Sequence, residues 1–277
     1  MNVVLMRKFC EFAEAIRLVD LPVFLQYYAF DVIGSIMMDT NFDMMETERD
    51  RSGLLHKIKV AAKRQMTFGA FPVLHVILAR FIAESSKQFR QLSSKPSENQ
   101  MPEPFLAELL DLERKGEINE ESIFSSYGSN VIAGSGTTAT TLSAAFYYIY
   151  RNPIVLKKLR DEIDARERAG LLSNPARFKE AQQMSYLQAT TEETLSMHPA
   201  VAHIFPREVS HNGVILRGYK FPAKFGLEFC GGGSRICLGR NISLLELAKV
   251  IPEVMRHFDV RFENPSQAWK LDVGWLT

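Results

Sequence analysis

The sequence is poor in what builds secreted, membrane-spanning or nucleic-acid-binding proteins. Three cysteines in 277 residues, Cys10, Cys230 and Cys237, are too few and of the wrong parity for a disulfide scaffold, and they point to a reducing, intracellular compartment. Charge of one sign is not in excess: 33 Lys plus Arg against 32 Asp plus Glu leaves a formal net charge of +1. The chain therefore carries neither the basic surplus that neutralises nucleic-acid phosphates nor the acidic surplus of disordered tails. No apolar run reaches the ~20 residues that cross a bilayer. The longest, Phe68 to Ile82, is interrupted by Pro72, His75 and Arg80. The apolar run before Arg7 is too short for the core of a signal peptide, so neither an export signal nor a membrane anchor is expected. The six histidines show no pairing at zinc spacing, no Gly-x-Ser-x-Gly elbow occurs, and no glycine loop ends in Lys-Ser/Thr. Structural zinc, acyl transfer from such an elbow and P-loop phosphate binding fall away.

What remains is helical periodicity. Apolar residues recur at helical spacing from Leu5 to Val19 and, after Asp20 as N-cap, from Phe24 to Met38. Amphipathic helices are predicted over 46–66 and 73–92, then a surface linker over 93–104, rich in Ser, Lys, Pro and Glu. A helix over Phe105 to Arg114 follows. Residues 122–150 run without proline and with apolar side chains on most faces, which predicts a long central helix. Its middle is rich in poor helix formers, Gly134, Ser135, Gly136, Thr137 and Thr138. Further helices are predicted over Pro153–Arg168, Phe178–Met197 and 240–257. The period shortens at Ile204–Val209 and Val214–Phe221, two predicted strands flanking an Asn212-Gly213 turn. Val260–Phe262 and Trp269–Val273 read as two more. The fold class is mainly α with a minor β-sheet, in one domain over 1–277.

The sharpest local feature is Gly231-Gly232-Gly233-Ser234-Arg235-Ile236-Cys237-Leu238-Gly239-Arg240, a glycine loop delivering a cysteine to a helix start. Helix N–H groups and a nearby arginine both stabilise a negative sulfur, the form that binds metal. This stretch resembles the heme-binding loop of cytochrome P-450 monooxygenases, Phe-x-x-Gly-x-Arg-x-Cys-x-Gly. Gly233, Arg235, Cys237 and Gly239 sit at the required spacings, with Cys230 in place of the phenylalanine. By that resemblance Cys237 is the axial iron ligand and Arg235 pairs with a heme propionate. Ala133-Gly134-Ser135-Gly136-Thr137-Thr138 is similar to the family's oxygen-activation segment Ala-Gly-x-(Asp/Glu)-Thr-Thr, with Gly136 at the acidic position. It implies Thr137 and Gly134 as catalytic positions over the iron. Phe205-Pro206-Arg207 resembles the strand whose arginine reaches a propionate. Glu193 fits the family's Glu-x-x-Arg helix, with Ser196 at the arginine position, a departure that would leave Glu193 without its partner if buried.

The resemblance implies a partial cytochrome P-450 fold lacking the N-terminal part and the meander before the heme loop, with 225–258 forming that loop and the following helix. It is closest to fungal secondary-metabolism members. The implied activity is insertion of one oxygen atom of O2 into a small apolar organic substrate. The implied cofactor is heme b, iron protoporphyrin IX, and the implied electron donor an NADPH-dependent reductase, on the cytoplasmic side of the endoplasmic reticulum. The departures, Ser196, Gly136 and the short Lys224–Glu228 bridge in place of the meander, point to an alternative: a truncated, non-catalytic member, from a degenerate gene or an incorrect gene model, with impaired heme binding.

Overall fold

A computed structural model describes residues 1–38, 42–50, 53, 55–58, 60, 104–201, 205–224, 226–229, 236–267 and 269. The described chain is mostly helical, with two small antiparallel sheets. Helices α1 (Asn2–Glu14), α2 (Leu21–Met38) and α3 (Met44–Thr47) precede α4 (Pro104–Arg114) and the long α5 (Glu120–Arg151). Then come α6 (Pro153–Arg168), α7 (Phe178–Ala181), α8 (Ser185–Met197), the strands β1 (Phe205–Glu208), β2 (Val214–Leu216), β3 (Tyr219–Phe221) and β4 (Gly226–Phe229), and finally α9 (Arg240–His257).

Helix α5 is the axis of the molecule. Asn119 caps it, its side chain accepting from the Ser122 amide at 2.8 Å, and Glu120 and Glu121 lie in the first turn, where negative charge suits the helix dipole. Helix α2 runs along α5, and α4, α6, α8 and α9 also pack on it. Leu142, Ala144, Ala145 and Ile149 are fully buried. Around them Leu25 and Tyr28 of α2, Leu159 and Ile163 of α6, Leu187 of α8 and Ile251 of α9 form one core. A second cluster joins Phe30, Ile33 and Met37 of α2 to Met44, Leu55, Ile123 and Val131. Asp31, 1% exposed, ties α3 to α2: its two carboxylate oxygens accept from the Met44 and Met45 amides at 3.1 and 2.9 Å. These are among the amide donors a helix start leaves unpaired, so Asp31 caps α3 from a distance.

Most predicted helices stand within a few residues of their expected bounds, and Asp20 does cap α2, accepting from Val23 at 3.2 Å. The predicted helix over Phe178–Met197 is instead two, α7 and α8, separated at 182–184. The restart has a visible cause, because Glu162 of α6 accepts from the amides of Tyr186 and Leu187 at 2.9 and 3.0 Å and caps α8 from outside. The strands differ in pairing. The segment Val214–Phe221 folds on itself about Arg217 and Gly218, both at positive φ (49° and 85°), and forms the β2–β3 hairpin. Asn212-Gly213 makes a separate turn outside it. Gly213 is required there for another reason: φ is +68°, and a Cβ would lie 2.8 Å from the Phe221 carbonyl oxygen. β1 pairs with β4, with Arg207 opposite Leu227. Residues 260–262 form no strand, and of Trp269–Val273 only Trp269 is described. The predicted helix over 73–92, the apolar run 68–82 and nearly all of the 93–104 linker lie outside the described residues. No described helix is long and apolar enough to cross a membrane.

Candidate functional site

The site begins where α9 meets the centre of α5. Along α5 the hydroxyls that weaken an isolated helix turn back on it: Ser135 donates to the Val131 carbonyl at 2.6 Å, Thr137 to Ala133 at 2.7 Å, Thr141 to Thr137 at 3.0 Å and Ser143 to Ala139 at 2.7 Å. Thr138 does something else. Its hydroxyl lies 3.0 Å from the Ser243 hydroxyl on the first turn of α9, joining residues 105 positions apart. Thr138 is 1% exposed and Ser243 half-buried, so this bond is part-buried at the contact of the two helices. Gly134 faces α2, where a Cβ would come to 3.0 Å from Ile33 Cδ1, so the glycine lets those two helices approach.

At the start of α9, Gly239 is the N-cap, and the amide of Ser243 donates to its carbonyl at 3.0 Å. Cys237, two residues earlier, is a free, exposed thiol, and the Gly239 position would set a Cβ 3.9 Å from its sulfur. Around it Ile236, Leu238, Ile242 and Leu245 are exposed, Leu238 at 98%. Of the other residues singled out by sequence, Gly233 and Arg235 lie outside the described residues, and Arg207 is placed by its backbone only, in β1. The contact shown between the two elements is Thr138–Ser243: Thr137 precedes Thr138 by one residue on α5, and Cys237 lies six residues before Ser243 ahead of α9.

Two buried acids on α9 escaped the sequence reading. Glu246, 5% exposed, lies one turn beyond Ser243, and its Oε2 meets no hydrogen-bond partner among the described residues. Burial pushes its carboxyl up to about 8. It also contributes, after burial itself, to holding the neighbouring Tyr28 phenol well above the usual range. Glu253, 3% exposed, accepts from the Ala176 amide at 2.8 Å and from Arg256 at 3.3 Å. The signal was present in both cases: each glutamate falls on the same helical face as Leu247, Val250, Ile251 and Val254. Glu193, in contrast, is exposed, as is Ser196, so the expected uncompensated buried charge does not arise.

The cytochrome P450 family model matches residues 3–230. The chain belongs to the cytochrome P450 family. Two relatives named pisatin demethylase, both from Fusarium vanettenii, are 29% and 30% identical over alignments that take in 99% and 98% of this P450 chain, hence also its glycine loop. A cytochrome P450 monooxygenase from Emericella nidulans is 26% identical over 96% of it. The P450 chain spans 65%, 62% and 65% of the length of these relatives. The alignment to the first runs over 332 positions against 277 residues here, a difference of 55, so at least that many positions of the relative find no counterpart in this chain.

The donor set fits the family's cofactor on the side that is described. A free, exposed thiol stands two residues before the N-cap of α9, with no side chain on Gly239 to cover it. Soft thiolate is a ligand suited to iron in heme.

Proposed function

We propose that this chain is a heme-thiolate monooxygenase of fungal secondary metabolism, inserting one oxygen atom of O2 into a small apolar organic substrate. The observation that supports the reading is the Thr138–Ser243 contact of α5 with α9, since Thr138 adjoins Thr137 and Ser243 follows the segment that carries the free Cys237 thiol. Cys237 would hold the iron of heme b through its sulfur, and Arg235 and Arg207 would pair with the propionates. Bound heme would supply O2 binding and its reductive activation, with electrons from an NADPH-dependent reductase. Thr137 holds its proton toward the Ala133 carbonyl, a hydroxyl able to donate or accept at that point. With Gly136 at the acidic position, no carboxylate stands beside it in sequence, so proton supply relies on this hydroxyl and water.

One observation favours a second reading, a non-catalytic member with impaired heme binding: Cys237 and its apolar neighbours are open to solvent, while at least 55 aligned positions of the relative have no counterpart. The reduced carbon monoxide difference spectrum after adding hemin, taken on the parent and on Cys237→Ser, separates the two. A strongly red-shifted Soret band in the parent alone supports the monooxygenase reading. No such band, or the same band in both, establishes the second.

A further inference from the structure

We propose that the Thr138–Ser243 hydroxyl pair is a positioning device that fixes the spacing between the helix carrying Thr137 and the helix start carrying Cys237. The inference rests on the heme-thiolate reading for its purpose, though the clamp itself can be tested without heme. Among the described hydroxyls of the 131–143 stretch, Ser135, Thr137, Thr141 and Ser143 bond to carbonyls of their own helix. Thr138 reaches across instead, at 3.0 Å, to the residue whose amide closes the first turn of α9 on Gly239. Along the chain Thr138 is one residue from Thr137, and Ser243 is six residues from Cys237.

The rest of the first turn is weakly held. Ile236, Leu238, Arg240, Asn241 and Ile242 are all exposed, and Gly239 provides no side-chain cap. Firm burial begins only at Glu246. Without the clamp, the approach to Cys237 would be anchored from Glu246 onward, and an unpinned helix end frays. A shift of the first turn by a fraction of an ångström would move the sulfur relative to Thr137, and catalytic geometry is sensitive at that scale. Thr138 and Ser243 thus act through their neighbours, Thr137 and Gly239.

The test compares the parent with Thr138→Val, Ser243→Ala, the double variant and Thr138→Ser. In the protein without heme, amide hydrogen exchange is read at 240–246 and, as an internal reference, at 250–257. The clamp predicts exchange faster by roughly five- to tenfold in the first turn, the factor expected for one hydrogen bond of about 1 kcal/mol. The reference segment should be unchanged, the double variant no worse than either single, and Thr138→Ser close to the parent. Uniform acceleration along α9, additive effects or no effect would overturn the proposal. With hemin and carbon monoxide, the Cys237-dependent band of the parent should fall at least twofold in Thr138→Val and recover in Thr138→Ser. An unchanged band in Thr138→Val would overturn the positioning role. A parent with no such band would sink the heme reading, while the exchange result would still decide the clamp.

Discussion

Replacing Glu246 by glutamine should remove a pH dependence that the structure builds into α9. Burial raises its carboxyl from 4.5 to about 8, with no partner for Oε2 among the described residues to offset the cost. Below pH 4.5 the group is neutral folded or unfolded and contributes nothing to the difference. Between 4.5 and 8 the unfolded chain gives up the proton while the folded chain keeps it, so stability falls as pH rises. Above 8 the loss is complete. At about 1.4 kcal/mol per pH unit, the gap between 4.5 and about 8 corresponds to on the order of 5 kcal/mol, of which roughly 3 are already lost at pH 7. Glutamine has the same shape and no proton to lose. Urea unfolding followed by circular dichroism at pH 5, 7 and 9 should therefore show Glu246→Gln close to the parent at pH 5, more stable by about 3 kcal/mol at pH 7 and by about 5 at pH 9. Other titrating groups cancel in the comparison, and the one identified neighbour that titrates, Tyr28, is itself raised and stays neutral over the range. A difference between the two proteins that is constant with pH would refute the reasoning.

Two further substitutions test the packing that positions the site. Asp31→Ala strips the remote cap from α3 and leaves the Met44 and Met45 amides unpaired in a buried place, a loss of about 2–4 kcal/mol in unfolding free energy, with Asp31→Asn about half as costly because one acceptor oxygen remains. Equal losses for the two would argue against the cap. Gly134→Ala gains up to ~1 kcal/mol of helix propensity but drives a methyl against Ile33 Cδ1, for a net loss of about 1 kcal/mol. In an Ile33→Ala background, which removes both Cδ1 and Cγ1 and leaves only the Cβ position at 3.7 Å, the same change should become stabilising, and a sign that does not reverse would show that the close approach is not what the glycine serves.

What was legible in the sequence is what depends on neighbours a few residues apart. The long α5, α6 and α9 follow from apolar spacing. The Asp20 cap was equally plain. What stayed hidden depends on distant partners. Glu162, twenty-four residues before Tyr186, decides where α8 starts. β1 finds β4 rather than the adjacent run, and Arg217-Gly218 rather than Asn212-Gly213 makes the hairpin tip, since both dipeptides can adopt positive φ and only the pairing of Val214 with Phe221 chooses between them. The site shows the same division. The candidate residues Thr137, Cys237 and Gly239 were marked by resemblance to the family's motifs, whereas the bond that joins the two segments, Thr138 to Ser243, is a contact between ordinary residues that no local pattern marks.

The short bridge between the hairpin and β4 leads to the last prediction. Lys224 closes back on Val209, its amide donating to that carbonyl at 2.9 Å, and β4 begins at Gly226, so the chain passes from hairpin to sheet with almost nothing between. Family members resembled by this sequence carry several dozen residues at this point. The alignment to the pisatin demethylase agrees in size, with at least 55 of its positions lacking a counterpart. Two surfaces are bare at the same time: the Glu192, Glu193, Ser196 and Met197 side of α8, and the apolar Ile236, Leu238, Ile242 and Leu245 around Cys237. A single stretch inserted between Ala223 and Phe225 would account for both the shortfall and the exposure, because exposed leucine and isoleucine forgo hydrophobic stabilisation of roughly 25 cal/mol for every Å² left in water. Sequencing the transcript across this junction should reveal additional in-frame coding sequence of that order. A transcript that reads directly from Ala223 through Lys224 to Phe225 would refute the idea, and would make the open Cys237 a property of the protein itself.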